Sequence, residues 1–250
     1  MNNYYGNTWA EDARPSEHLP VGVVNAFLQR VFTIMSLGLG ITGLAAWFFF
    51  KYFFSEVSGE LALTAAGEAV FTTPLRYVVM FAPFAFVLVL SFGINKLSYA
   101  AASIIFALFA AVMGMSLSTI FALYTSGSIA LTFFITAGTF GAMALYGLTT
   151  KTDLSKMGSI LMMALFGLII ASVVNWFMKS SMMDFIISIV GVLIFTGLTA
   201  YDVQRIMRES LTMDSDSETA GKASVMGALT LYLDFINLFL FLLRLLGNRK

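Results

Sequence analysis

Residues Gly227–Gly247 read GALTLYLDFINLFLFLLRLLG. The run is long enough to cross a bilayer, since about 20 mostly apolar residues span roughly 30 Å of hydrocarbon. Asp234 nevertheless stands close to its middle. Counted from the start of the apolar run at Ala223, it is about 16 Å along the helix at 1.5 Å per residue. Holding a charged side chain at the bilayer centre costs at least about 2.5–3.5 kcal/mol. Such residues face a bundle interior or a wet cavity, so this span belongs inside a multi-helix protein.

The rest of the chain agrees. Of its 250 residues, 59% are hydrophobic and only 11% charged, against about 25% charged in a soluble domain. Mean hydropathy is +0.87. Six further apolar runs join the first: Phe27–Phe50, Leu75–Gly93, Tyr99–Tyr124, Ile129–Leu148, Met157–Met178 and Phe185–Val203, with the last span taken as Ala223–Leu246. Polar breaks such as KYFFSEVSGE, TTKTDLSK and MKSSMMD separate some of them. Alternation of period two is absent, which excludes a barrel. The expected fold is an all-α integral membrane bundle of seven helices, with residues 21–250 forming one domain and residues 1–20 a flexible polar tail. Pro74 precedes the second span at no cost, whereas Pro83 inside it should bend the helix. Small residues in GLGITGLAA and TAGTFGAMALYG are expected to let helices approach closely.

Composition also removes whole classes of function. The formal net charge is zero, so no basic field points to nucleic acid. There is no cysteine, hence no disulfide, thiolate metal site or cysteine nucleophile. The single histidine, His18, stands in the polar stretch before Pro20, which lacks the basic and apolar regions of a signal peptide. Serine–histidine chemistry within the membrane and zincin motifs are therefore both excluded. If alternate loops share a side, Arg14, Arg30, Lys96, Lys151, Lys156, Arg205, Arg208 and Lys222 oppose Lys51, Arg76, Lys179, Arg244, Arg249 and Lys250. That balance favours a cytoplasmic N-terminus, although the basic C-terminal RLLGNRK pulls the other way.

Of the 14 acidic residues, only Asp202 and Asp234 need a special explanation. Asp202, in FTGLTAYDVQRIM, falls in the last turn of the sixth span as read from hydropathy. It is either a solvated interface residue or a buried one. Around Asp234, Thr230 at i−4 and Asn237 at i+3 share its helix face, with Arg244 a heptad beyond, and Thr199 stands at i−3 from Asp202. These polar residues are expected to support the acids. A purely structural, protonated Asp234 remains an alternative. If both acids face one cavity, they cannot both ionise cheaply, and the pair shares a proton. Fully ionised, it offers oxygens to a hard cation such as Ca²⁺. That ion takes six to eight oxygens, so two aspartates make a weak site suited to transit.

The stretches carrying these acids are also distinctive as motifs. TGLTAYDVQRI followed by GALTLYLDFINLFLFLLRLLGNRK resembles the Bax inhibitor-1 (transmembrane BAX inhibitor motif) family. TFGAMALYGLTTKTDLSKMGSILMMALFGLIIASVVNWF is similar to its bacterial inner-membrane branch. The resemblance covers roughly Val21 to Lys250. It implies a seven-helix bundle with the last helix surrounded by the other six. It also implies a pH-sensitive Ca²⁺ leak, with Asp202 and Asp234 as the proton-sensing pair and no resident cofactor. The resemblance further implies a cation at the end of the second helix that latches a sensor aspartate. In SFGINKLS the one cation there is Lys96, which lacks the bidentate fork of arginine.

Three other readings use the same residues. An intramembrane aspartyl protease also needs two carboxylates, but its Gly-x-Gly-Asp is replaced here by Leu231-Tyr232-Leu233-Asp234, and no proline follows Pro83. A regulatory protein that binds other membrane proteins would use the N-terminal tail or the acidic loop ESLTMDSDSE. A proton-coupled transporter would move an organic solute with the same acids.

Overall fold

Long apolar runs in lipid satisfy their backbone polar groups only by coiling into helices, and the computed structural model of the chain has this form. It describes residues 21–57, 60–211 and 217–250. The polar N-terminal stretch 1–20, with His18, and the centre of the acidic loop, 212–216, lie outside the described residues. Helix α1 (Val21–Phe53) leads into a hairpin, β1 (Phe54–Val57) and β2 (Glu60–Leu63), and a short helix α2 (Ala65–Phe71). Then follow α3 (Leu75–Gly93), α4 (Tyr99–Leu117), α5 (Ile120–Leu123), α6 (Ser126–Thr149), α7 (Ser155–Met178), α8 (Ser181–Ser210) and α9 (Glu218–Leu246). Among the described residues seven helical segments are long and apolar enough to span a membrane, α4 and α5 together making the third. The chain is an all-α multi-pass membrane protein.

Local chemistry places the ends. Ser98, Thr125, Ser180 and Ser217 cap α4, α6, α8 and α9, each hydroxyl accepting from the backbone N–H three residues on. Helix α7 stops at Lys179, held in the left-handed region at φ 52°. Pro83 has no N–H for the Val79 carbonyl. Ser116 of α4 supplies the missing donor, its Oγ lying 2.6 Å from that oxygen. The price of a proline inside α3 is thus met by a neighbouring helix. The segment KYFFSEVSGE, read from sequence only as a polar break, instead runs into the antiparallel hairpin, with Phe54 opposite Leu63.

Burial ranks the spans. In its most apolar window α9 is 67% buried, against 11% to 39% for the other six. It packs chiefly on α1, α4, α6 and α8, while α3 leans on α4 and α7 on α8. The last helix is therefore central, with four close neighbours and two helices in an outer layer rather than a ring of six. Tyr232 is its deepest large side chain, with no exposed surface. Its ring meets Phe106 and Phe109 of α4 edge to face, and its hydroxyl lies 2.7 Å from Thr42 Oγ1 on α1.

The small-residue stretches divide in two. Gly147 brings α6 onto α8, where a Cβ would land on the Ala200 carbonyl, and Gly38 packs on the Phe106 ring. Gly40, Gly43, Gly138 and Gly141 meet nothing. Three of these, Gly40, Gly43 and Gly141, instead line a groove of about 690 Å³ between α1 and α6, floored by Phe235 of α9. The expected close approach holds at some of these glycines and fails at others.

Candidate functional site: a buried carboxyl pair

Helix α8 does not end at Val203, where its hydropathy falls, but continues to Ser210. Asp202 is consequently not in a last turn. It is 5% exposed, as is Asp234, which settles the choice between a solvated and a buried Asp202. Helices α8 and α9 run antiparallel, with Gly227 against Ile206. From that level Asp202 lies four residues deeper and Asp234 seven, an offset of about 4.5 Å at 1.5 Å per residue. Every helical Cα–Cβ bond tilts toward its own N-terminus. In antiparallel helices this moves Asp202 deeper and Asp234 shallower, so the carboxyls converge. The two carboxyls lie close enough to interact directly. Asp234 Oδ2 is fully enclosed and has no further partner.

The cation at this pair is not Lys96. Lys96 is exposed at the end of the turn after α3 and makes no ion pair among the described residues. Arg205, one turn along α8, instead places its guanidinium 3.0 Å from Asp202 Oδ1. Its Nε lies 3.7 Å from Glu209, and its charge sits over the Tyr201 ring at 5.8 Å. A chain of groups therefore runs from buried Asp234 through Asp202 and Arg205 to exposed Glu209. The signal was present in the sequence as the i,i+3 spacing of Asp202 and Arg205.

The expected supporting residues do not reach the acids. Thr199 donates to Phe195 O at 2.7 Å, Thr230 to Met226 O at 3.1 Å and Asn237 to Leu233 O at 2.8 Å. Each satisfies itself on the carbonyl one turn back, as polar side chains within helices commonly do. Asn237 is turned about 60° round α9 from Asp234, at 100° per residue, and faces a second groove between α3 and α4. Arg244 lies beyond, pairing with Asp184 at 3.1 Å near the opposite end of α8. Among the described residues no three acidic or histidine side chains gather as a metal cluster. Asp202 and Asp234 alone would hold Ca²⁺ only in passing.

Beyond the pair, α8 grips the connection between α6 and α7. Gln204 donates to Thr152 O at 2.9 Å and accepts from the Leu154 N–H at 3.0 Å. Arg208 reaches Asp153 at 2.8 Å. Hydrogen bonds from Ser155, through its hydroxyl and its N–H, and then from Arg208, hold the Asp153 carboxyl down at about 2. Two grooves close in on the pair, and neither acid forms part of their walls. One reaches Phe235 and the other Leu233, the residues on either side of Asp234.

Known proteins are similar to this chain along nearly its whole length. An uncharacterized protein of Borreliella burgdorferi is 47% identical over 91% of this chain and 94% of its own. The inner membrane protein YbhL of Escherichia coli is 42% identical over 92% of this chain and 95% of its own. An uncharacterized protein of Caulobacter vibrioides is 39% identical over 90% and 89%. The sequence profile described as "Inhibitor of apoptosis-promoting Bax1" matches residues 24–250. The chain belongs to this Bax1-inhibitor family of membrane proteins.

Proposed function

We propose that the protein is a pH-sensitive calcium leak pathway of the bacterial inner membrane, with Asp202 and Asp234 as its proton sensor and transient cation site. The reading rests on one observation: two carboxyls, each 5% exposed, brought together at the heart of the bundle. A bond between two carboxyls needs a proton on one of them, because an ionised carboxylate only accepts. Losing that proton leaves two anions in contact inside a poorly polarisable bundle, where they repel strongly. Of the two acids only Asp202 has a direct ion pair with Arg205, so the repulsion falls hardest on Asp234. A divalent cation relieves the same repulsion, which links proton release to cation entry. The grooves that stop at Phe235 and Leu233 leave a short stretch of packing to be opened. The lipid bilayer and calcium are the expected partners, with calcium as cargo and no cofactor.

The inner-membrane location follows the name of the Escherichia coli relative, and the lysine and arginine balance favours a cytoplasmic N-terminus. The role is conduction rather than catalysis. Tyr232 of the LYLD motif spends its hydroxyl on Thr42, and the motif has no Gly-x-Gly to bring substrate backbone close to Asp234. Reconstitution into vesicles with a trapped calcium indicator tests the proposal. Asp234→Asn should remove the pH dependence of calcium flux. A mutant whose flux follows pH as the parent does would refute it.

A further inference from the structure

The second large groove has a polarity that the carboxyl pair does not explain. It has a volume of about 590 Å³ and lies between α3, α4 and α9. Met80, Phe84 and Val87 line one wall, and Leu233 and Leu240 line the other. Arg76 stands at its mouth, in the first turn of α3. Arg76 is exposed and makes no ion pair among the described residues. Its guanidinium bonds the neighbouring Tyr77 hydroxyl at 2.9 Å and lies 4.7 Å from that ring. A helix N-terminus already carries partial positive charge, so a cation there adds to a positive field that no carboxylate among the described residues pairs with.

From Arg76 to Val87 the wall runs eleven residues, about 16 Å at 1.5 Å per residue. That is the depth of one leaflet in a hydrocarbon core of roughly 30 Å. The groove thus joins a headgroup-level cation to an apolar trough one acyl chain deep.

We propose that this groove is a binding site for an anionic phospholipid, its phosphate on Arg76 and one acyl chain lying along α3 toward Leu233. Lipid exchange would then bear on the residue next to Asp234, but the site does not depend on what the carboxyl pair does. Charge favours a lipid over a second copy of the chain. The groove mouth is cationic, and its nearest counterpart on a second copy would be the same arginine.

Native mass spectrometry of the full chain in detergent tests this, titrating phosphatidylglycerol against phosphatidylcholine with the same acyl chains. The parent should retain one phosphatidylglycerol more tightly than the first phosphatidylcholine. Arg76→Gln should weaken the phosphatidylglycerol adduct about fivefold, the weight of one basic side chain at an anionic lipid surface, and Arg76→Lys should restore most of it. Met80→Trp, at an exposed position that fills the trough, should remove the adduct while the charge remains. Equal retention of both lipids by the parent would overturn the proposal, as would unchanged retention in Arg76→Gln or Met80→Trp. A dimer that phosphatidylglycerol fails to displace would also overturn it, assigning the groove to a second copy.

Discussion

The contact between Thr42 and Tyr232 holds α1, α4 and α9 together two residues from Asp234, and its geometry predicts an unequal mutational response. Thr42 has one hydroxyl proton, which it gives to Ala110 O at 2.9 Å. The 2.7 Å contact with Tyr232 must therefore have tyrosine as donor. Tyr232→Phe leaves Thr42 donating and removes one acceptor contact. Its cost should be about 0.6 kcal/mol, the average for interhelical hydrogen bonds in membranes. Thr42→Val is worse, because it strands the Tyr232 O–H where no surface is exposed. An unsatisfied buried donor costs about 1–3 kcal/mol. The double variant removes both partners, so it should be at least as stable as Thr42→Val alone. The coupling energy should be about 1 kcal/mol. Reversible unfolding of the four proteins in mixed micelles measures the cycle. Effects that add to within about 0.3–0.5 kcal/mol, as they do for independent sites, would refute this hydrogen bond.

Gly147→Val should destabilise by about 1–3 kcal/mol or more, because its side chain meets the Ala200 carbonyl. Gly141→Ala, facing open groove, should stay within about 0.5 kcal/mol, and thermal unfolding in detergent separates the two. Arg205→Gln should move the pH midpoint of calcium flux without abolishing it, because the guanidinium acts on Asp202 while the pair survives. An unmoved midpoint in vesicle flux would count against that role. Asp153 has a depressed pKa in the fold, about 2, below the ordinary aspartate value of about 3.9. Its contribution is therefore fully present above the unfolded value and is lost only as pH falls through about 2. Asp153→Asn should leave the pH profile of flux unchanged in shape between about pH 5 and 8, unlike a change at Asp234.

The spans were legible because the bilayer imposes a length and a composition on them, and Asp234 because no apolar helix carries a buried acid without cause. The end of α8 was not legible in the same way. Gln204, Arg205 and Arg208 lower the hydropathy there, yet the helix continues because these side chains have partners in Asp202, Thr152, Leu154 and Asp153. Thr199, Thr230 and Asn237 misled in the opposite sense. Spacing put them near the acids, but a helix offers each a carbonyl of its own one turn back. A family pattern drew attention to Lys96, although a nearer cation, Arg205, stands three residues from Asp202. The convergence of the carboxyls depends on the antiparallel register of α8 and α9, which only tertiary packing sets.

In the proposed function one proton, shared by Asp202 and Asp234, controls calcium passage. Infrared difference spectroscopy of the protonated-carboxyl C=O band tests it most directly, recorded as pH is titrated on the same vesicles in which calcium flux is followed. A buried carboxylic-acid band is expected whose pH midpoint coincides with that of the flux, with loss of both the band and the pH dependence in Asp234→Asn. A flux midpoint unrelated to that band, or a titrating band that persists in Asp234→Asn, would contradict it.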